Sequence, residues 1–196
     1  MPRGVYHHLD PHGHVVGVER FSCAPGVAGW RYVSQTYDPN DAPLGRLDLT
    51  VDADWRQVRV AVTLGGTTLR AGVVGPDVVW IRGDAGEETA TAAGLTGSSP
   101  AFTIATARLL SLSLLDRCRV HLLRVTEPAA LLLPVDEGWA LVDVTKHEAE
   151  DAALEVERYE VADLATAERR VVHLAGDVVL DAPGVELAEL ESPPNL

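Results

Sequence analysis

Apolar and polar residues alternate with a period of two along much of the chain. The alternation is clearest in segments 47–51 and 57–64, and it recurs at Leu110, Leu112 and Leu114. This period puts one apolar face against a core and one polar face outward, as in a half-buried β-strand. A helix would need apolar residues three and four positions apart, which these segments lack. Each of the three segments is therefore predicted to be a strand.

Turn residues separate the predicted strands. Gly65-Gly66 and segment 75–77 predict two tight hairpins, and segment 83–99 predicts a long loop. Residues 145–156 favour a short helix or loop on propensity, followed by a strand. The remaining predicted strands are segments 71–74, 78–82, 120–126, 129–135, 139–144, 170–174, 178–180 and 185–187, with a turn at Glu137-Gly138.

About twelve short strands with hairpin spacing indicate an all-β fold, a curved or rolled antiparallel sheet with little helix. The 196 residues fit a single domain spanning 1–196, with its core at about 5–188 and a frayed C-terminal tail at 189–196. The pattern shows no alternation of strands with helices and no glycine-rich phosphate loop, which argues against nucleotide-binding folds.

The charge balance excludes some partners. Sixteen basic residues face 29 acidic ones, a formal net charge of −13, which argues against nucleic acid or an anionic membrane surface as partner. Apolar stretches are too short for a membrane-spanning helix of ~20 residues. Cys23 and Cys118 belong to no CxxC pair, the N-terminus does not resemble a secretory signal, and a cytoplasmic location is expected.

Candidate catalytic and metal-binding motifs are weak. His7, His8, His12 and His14 surround Asp10, but Pro11 and Gly13 favour a loose loop, so no metal site or cofactor is predicted. Gly97-Ser98-Ser99-Pro100 places serines in a loop, without a GxSxG motif. No catalytic residue is predicted and an enzyme is disfavoured, although members of a triad need not be close in sequence.

Several phrases of the sequence resemble a bacterial protein family named for glycolipid binding. The phrases are Asp52-Ala53-Asp54-Trp55-Arg56, then Trp80 within segment 78–83, then segment 99–109 from Ser99-Pro100 to Arg108-Leu109, and finally segment 174–184. Taken in order, they cover roughly residues 5–188. The resemblance implies a spiral β-roll, similar in shape to periplasmic lipoprotein carriers, and its functional label rests on that likeness of shape.

The resemblance implies non-enzymatic binding of an amphipathic ligand, such as a lipid or glycolipid, in a cavity of the roll. The ligand-binding residues expected are the wall residues Trp55, Trp80, Phe102 and Tyr159, with Arg56 and Arg108 meeting a polar or anionic head group. The alternative for these six residues is a plain structural role as core aromatics and surface arginines. The alternative for the whole chain is a solid-core assembly module that forms a homodimer without a small-molecule ligand.

Overall fold

This computed structural model describes residues 1–148 and 153–195 of the chain. In that part, fifteen strands form one sheet and eleven residues form one α-helix. The strands are Arg3–Leu9 (β1), Val15–Gly26 (β2), Gly29–Tyr37 (β3), Pro43–Val51 (β4), Gln57–Leu64 (β5), Thr67–Val74 (β6), Asp77–Arg82 (β7), Glu88–Thr91 (β8), Leu95–Thr96 (β9), Arg117–Thr126 (β10), Leu131–Glu148 (β11), Ala153–Asp163 (β12), Arg169–Ala175 (β13), Val178–Ala182 (β14) and Val185–Leu190 (β15). The helix α1 spans Pro100–Leu110, between β9 and β10.

The sheet runs in an almost unbroken meander. From one edge the order is β8 back to β1, then β15 back to β9, so the first strand pairs with the last. Neighbours are antiparallel except β9, which runs parallel to β10. The predicted all-β, rolled antiparallel sheet is confirmed.

Gln57 at the start of β5 closes the roll. Its amide donates to the carbonyl oxygen of Leu95 at 2.9 Å and accepts from the Leu95 N–H at 2.8 Å, as a neighbouring strand would. Gly94 permits this approach, because an added Cβ would lie 3.1 Å from the Gln57 side-chain carbon. The hydrogen bonds of Gln57 therefore close the roll between β5 and β9. Strands β6 to β8 extend the sheet past this point, as in a spiral.

Helix α1 lies inside the roll. The Ser99 hydroxyl caps its first turn, Pro100 starts it, and Ser111 ends it in a left-handed conformation. Seven of its residues are buried, namely Pro100, Ala101, Phe102, Ile104, Ala105, Thr106 and Ala107. A helix that is apolar on nearly every side is stable only when it is surrounded, which the enclosing sheet provides.

Several predicted elements are confirmed and others are wrong. Turns at 65–66 and 75–76 join β5 to β6 and β6 to β7, as expected. The strand predicted at 110–114 is wrong, because Leu110 is the last residue of α1. The predicted loop 83–99 contains β8 and β9, and the predicted turn at 137–138 lies inside β11.

The segment predicted as helix or loop and the predicted frayed tail have a different structure. Residues 145–148 belong to β11, so the helix is wrong there, while 149–152 lie outside the described residues. The tail, predicted for 189–196, begins within β15, and the backbone N–H of Asn195 donates to Asp177 at 2.8 Å. No helix among the described residues has the length and apolar character needed to cross a membrane.

Candidate ligand-binding site

A cavity of about 760 Å³ lies at the end of the roll where α1 stops. We call it the tryptophan cavity. Its size falls within the range typical of small-molecule sites. Its wall combines apolar groups with polar groups, and the principal lining residues are Pro25, Val27, Trp30, Ala53, Trp55, Arg108, Glu155, Glu157, Asp177 and Asn195.

Trp55 reaches this cavity from the turn between β4 and β5. The Asp52 carboxylate organises that turn by accepting from the backbone N–H groups of Asp54 and Arg56 at 3.0 and 2.9 Å. Trp55 adopts a φ of +62°, a left-handed conformation that is unfavourable for a large side chain. The indole is half-buried, with its ring centre 5.5 Å from that of Trp30. Strain of this kind persists where a side chain must be held in a particular place.

Behind Trp55, the buried Asp177 carboxylate fixes the floor of the cavity. It accepts hydrogen bonds from the Trp30 indole at 3.0 Å and from the Cys23 thiol at 3.3 Å. Burial raises the pKa of the Cys23 thiol, followed in effect by the charge of Asp177, so the thiol stays a neutral donor. The Asn195 side chain also donates to Asp177, at 2.7 Å, which places the C-terminal tail against the cavity.

Arg108, in the last turn of α1, also lines the cavity. Its guanidinium donates to the carbonyl oxygen of Gly176 through Nε at 3.2 Å and to Glu157 Oε1 through Nη1 at 2.9 Å. Glu157 Oε2 lies 2.7 Å from Nη2, so Arg108 and Glu157 form a close ion pair. Both side chains remain about one-fifth exposed, at 22% and 21%.

The lining of the tryptophan cavity is acidic. One arginine stands against four carboxylate side chains, those of Asp52, Glu155, Glu157 and Asp177. Because Arg108 is already paired with Glu157, its charge is not free for an anionic ligand. Among the described residues that line it, the cavity therefore presents more carboxylate than guanidinium groups.

The structure brings Trp55 and Arg108 together, although 53 positions separate them in the sequence. Arg56, predicted beside them, has its side chain exposed to solvent and lines none of the cavities described here. Arg56 instead contributes its backbone, whose carbonyl oxygen accepts from the Asp52 N–H at 3.0 Å.

The other three predicted site residues lie elsewhere. Phe102 is buried near the start of α1, at the opposite end of the roll. Trp80 is half-buried in β7 and packs against the core without lining the tryptophan cavity. Tyr159 is buried edge-on to Trp139, with ring centres 5.8 Å apart. Burial, followed by the nearby charge of Glu157, raises the pKa of Tyr159 to about 12.

A second cavity, of about 500 Å³, lies at the end of the roll where α1 begins. We call it the Glu19 cavity after the buried carboxylate of β2. Glu19 Oε1 accepts from the hydroxyls of Ser99 at 2.6 Å and Tyr32 at 3.0 Å, and Oε2 pairs with His8 Nε2 at 2.9 Å. Burial opposes ionisation of Glu19, but hydrogen bonds from His8, Ser34 and Ser99 outweigh it and lower its pKa.

This polar cluster lacks the order of a nucleophilic triad. Catalysis by a triad requires the histidine between the serine and the acid. Here Glu19 lies between Ser99 and His8, and Ser99 Oγ also accepts from the N–H of Ala101 at 3.4 Å. The arrangement holds the N-terminus of α1 rather than activating a serine.

Glu19, Glu137 and Asp177 are buried acids that our sequence reasoning missed. For Glu19 and Glu137 the signal lay in the alternation. Gly17, Glu19 and Phe21 occupy successive inward positions of β2, so a glutamate falls on the apolar face. Glu137 likewise falls on the buried face of β11, where its carboxylate accepts a hydrogen bond from the Trp139 indole at 2.9 Å. Asp177 carries no such signal, because it lies in the turn between β13 and β14.

The N-terminal histidines surround an ordinary turn. Asp10 accepts from the backbone N–H groups of His12 and His14 at 2.8 and 2.9 Å. The His14 hydrogen bond contributes most to lowering the pKa of Asp10. Within residues 1–148 and 153–195, no three histidine, cysteine, aspartate or glutamate side chains converge as metal ligands.

Comparison with known proteins shows a similarity of fold. No protein-family model matches the sequence, and no curated protein matches it either. A DUF1089 family protein from Pseudomonas aeruginosa has a similar structure, with a TM-score of 0.60 and 18% identity over 85% of this chain and 89% of that one. A β-barrel-like protein of the domain of unknown function DUF1849 from Brucella abortus is similar over 96% of both chains, with a TM-score of 0.54 and 15% identity. At these identities the likeness concerns the rolled β-sheet alone.

Proposed function

We propose that the protein binds an amphipathic ligand without catalysis, and that the polar part of the ligand is a neutral sugar held in the tryptophan cavity. The observation that carries this proposal is that the indoles of Trp30 and Trp55 line the same cavity as the polar side chains of Arg108, Glu157 and Asn195. An indole face packs against the apolar face of a sugar ring, while carboxylates and amides hydrogen-bond its hydroxyls.

The apolar part of the ligand would lie toward the outer edge of the cavity. Val27, at the tip of the β2–β3 hairpin, is fully exposed and lines the cavity together with Pro25. Helix α1 fills the interior of the roll, so an alkyl chain would cover this edge rather than enter the core. Covering apolar surface stabilises a complex by about 25 cal/mol per Å² before the losses of association.

Three further observations support a glycolipid as the ligand. The sequence phrases around Trp55 and Arg108 resemble a family named for glycolipid binding, and both residues lie in this cavity. β-Barrel-like folds of the kind found in the structural neighbours commonly hold a ligand. The strained backbone of Trp55 also fits a residue kept for contact with a ligand.

Titration with three amphiphiles of equal chain length tests the proposal. The probes are an alkyl glucoside, an alkyl phosphocholine and an alkyl sulfate, each below its micelle concentration, with tryptophan fluorescence as the readout. We expect the glucoside to bind tightest and the sulfate weakest, because four carboxylates line the cavity. Equal or tighter binding of the sulfate would contradict the proposal.

Two variants locate the site. Trp55→Asn suits the left-handed backbone and removes the indole, and we expect it to weaken glucoside binding about 30-fold, as for a central aromatic contact. Trp80→Phe is the matched control and should bind within about twofold of the natural protein, because Trp80 lies outside the cavity. Equal losses in the two variants would exclude the tryptophan cavity.

A further inference from the structure

We propose that a groove on the outer face of the sheet, separate from the tryptophan cavity, binds a phosphate group. We call it the arginine groove, because Arg117, Arg119 and Arg169 border it. Its volume is about 440 Å³, and it shares no lining residue with the tryptophan cavity or the Glu19 cavity.

Strand register builds the groove. Arg119 in β10 pairs with Gly138 in β11, Gly138 pairs with Ala162 in β12, and Ala162 pairs with Arg169 in β13. These four paired residues form one row across four strands, with an arginine at each end. Only Gly138 and Ala162 lie between the two arginines, so no large side chain fills the floor of the groove. Three strand spacings separate the arginine backbones by about 14 Å. Two extended arginines can therefore hold one small group between them.

The floor also depends on Gly138. An added Cβ at this position would lie 3.2 Å from the Leu164 side chain, which packs over it. Leu164 itself remains 42% exposed and gives the groove an apolar wall. Ala140, opposite Arg117, extends the floor along the next row.

None of the three arginines forms an ion pair with any of the residues that the structure describes. Glu160 also lines the groove, and Arg158 Nη2 lies 3.6 Å from its Oε1. Arg31 and Arg108, elsewhere in the chain, are by contrast held closely by carboxylates. The groove is a local concentration of unpaired positive charge.

Phosphate is the ligand chemistry that fits this charge and shape. A guanidinium donates two parallel hydrogen bonds to phosphate oxygens, and three arginines can share the oxygens of one phosphate. Screening at physiological salt limits the field of distant charges to about 8 Å, so the acidic remainder of the surface does not cancel the groove. A soluble metabolite and a lipid head group present the same phosphate oxygens, and the experiment below distinguishes these two sources.

Calorimetric titration with glycerol 3-phosphate and cosedimentation with phosphatidylcholine vesicles, with and without phosphatidic acid, test the proposal. The informative variant is Arg119→Gln/Arg169→Gln, and the matched control is Arg70→Gln, another exposed arginine without an ion pair among the described residues. We expect the double variant to bind at least about tenfold more weakly and the control to bind within about twofold. Binding should also weaken as salt is raised.

Each outcome of these binding experiments supports or overturns the phosphate site. Binding of glycerol 3-phosphate that needs both arginines assigns the groove to a soluble ligand, and binding only to phosphatidic acid vesicles that needs them assigns it to a lipid head group. Absence of binding in both arms overturns the proposal. Equal weakening in the double variant and in Arg70→Gln also overturns it, because the effect would then come from overall charge. Thermal unfolding of each variant confirms that the fold is retained.

Discussion

The charged side chains at the two ends of α1 differ in their exposure to solvent. At its N-terminus, Glu19 is 1% exposed, and both of its oxygens are taken by His8, Tyr32 and Ser99. At its C-terminus, Arg108 and Glu157 form an ion pair, yet about one-fifth of each side chain stays exposed. The buried carboxylate at the first end is thus fully occupied by the protein, while the ion pair at the second end remains partly accessible.

This difference suits the two ends of α1 to different roles, the Glu19 end to holding the helix in place and the Arg108 end to binding a ligand. A buried carboxylate with all its hydrogen bonds made stabilises one position of the helix, and removing any partner leaves a costly unpaired group. A partly exposed ion pair that shares a cavity with two indoles can exchange water for the hydroxyls of a ligand at little cost. The comparison predicts that substitutions at the Glu19 end affect stability, while substitutions at the tryptophan end affect binding.

The largest expected effect comes from Glu19→Ala. It removes the acceptor of Ser99 and Tyr32 and opens a void in the wall of the roll, so we expect a loss of about 3 kcal/mol in the free energy of unfolding. Urea denaturation measures it. Glu157→Ala, at the other end, should cost less than half as much, and equal losses would remove the distinction between the two ends.

Ser99→Ala has the next largest effect. The substitution removes the helix cap and a hydrogen bond to a buried charge, and we expect a loss of about 2 kcal/mol. Ser98→Ala is the matched control, because the neighbouring Ser98 is exposed and donates to Glu127 rather than to Glu19. A Ser99→Ala variant as stable as this control would show that α1 is not anchored through Glu19.

Asn195→Ala tests the effect of a substitution at the tryptophan cavity on stability. It removes the side-chain hydrogen bond to Asp177 and leaves the one donated by the backbone N–H, and the tail lies near the chain terminus, so we expect a loss of about 1 kcal/mol. Limited proteolysis should show faster cleavage after β15 with little change in the global unfolding midpoint. A global loss as large as that of Ser99→Ala would contradict the assignment of the tail to a local contact.

The smallest expected effect is on pH dependence. The pKa of Glu19 is lowered in the folded protein, so its stabilising contribution is present above the ordinary glutamate pKa of about 4.3 and is lost as pH falls through the folded value. Stability should therefore decline more steeply on acidification in the natural protein than in Glu19→Gln. Parallel curves of unfolding free energy against pH would contradict this.

The strands could be predicted from the sequence because their signal is local. Alternation at 47–51 and 57–64 and the glycine turn at 65–66 are confirmed as β4, β5 and the hairpin that follows. Helix α1 was missed because it is buried on nearly every side and so lacks the one-sided apolar pattern of a surface helix. The Ser99-Pro100 pair was the available signal, as a cap followed by a proline that starts a helix.

The candidate site could be predicted only in part. Trp55 and Arg108 come together through closure of the roll, which depends on contacts between distant positions such as Gln57 and Leu95. Arg56 follows Trp55 in the sequence but points to solvent, since neighbouring residues of a turn face different ways. The pairing of Arg108 with Glu157 also depends on tertiary structure, and of the polar or anionic head group expected from the sequence it favours the neutral polar one.

Native mass spectrometry of the purified protein, followed by organic extraction of anything it carries, shows whether the tryptophan cavity holds a ligand. We expect a bound neutral glycolipid in a one-to-one ratio with the chain, absent from Trp55→Asn and retained by Trp80→Phe. A mass without ligand under conditions that preserve the fold, above all that of a clean homodimer, would contradict the claim and favour an assembly module instead.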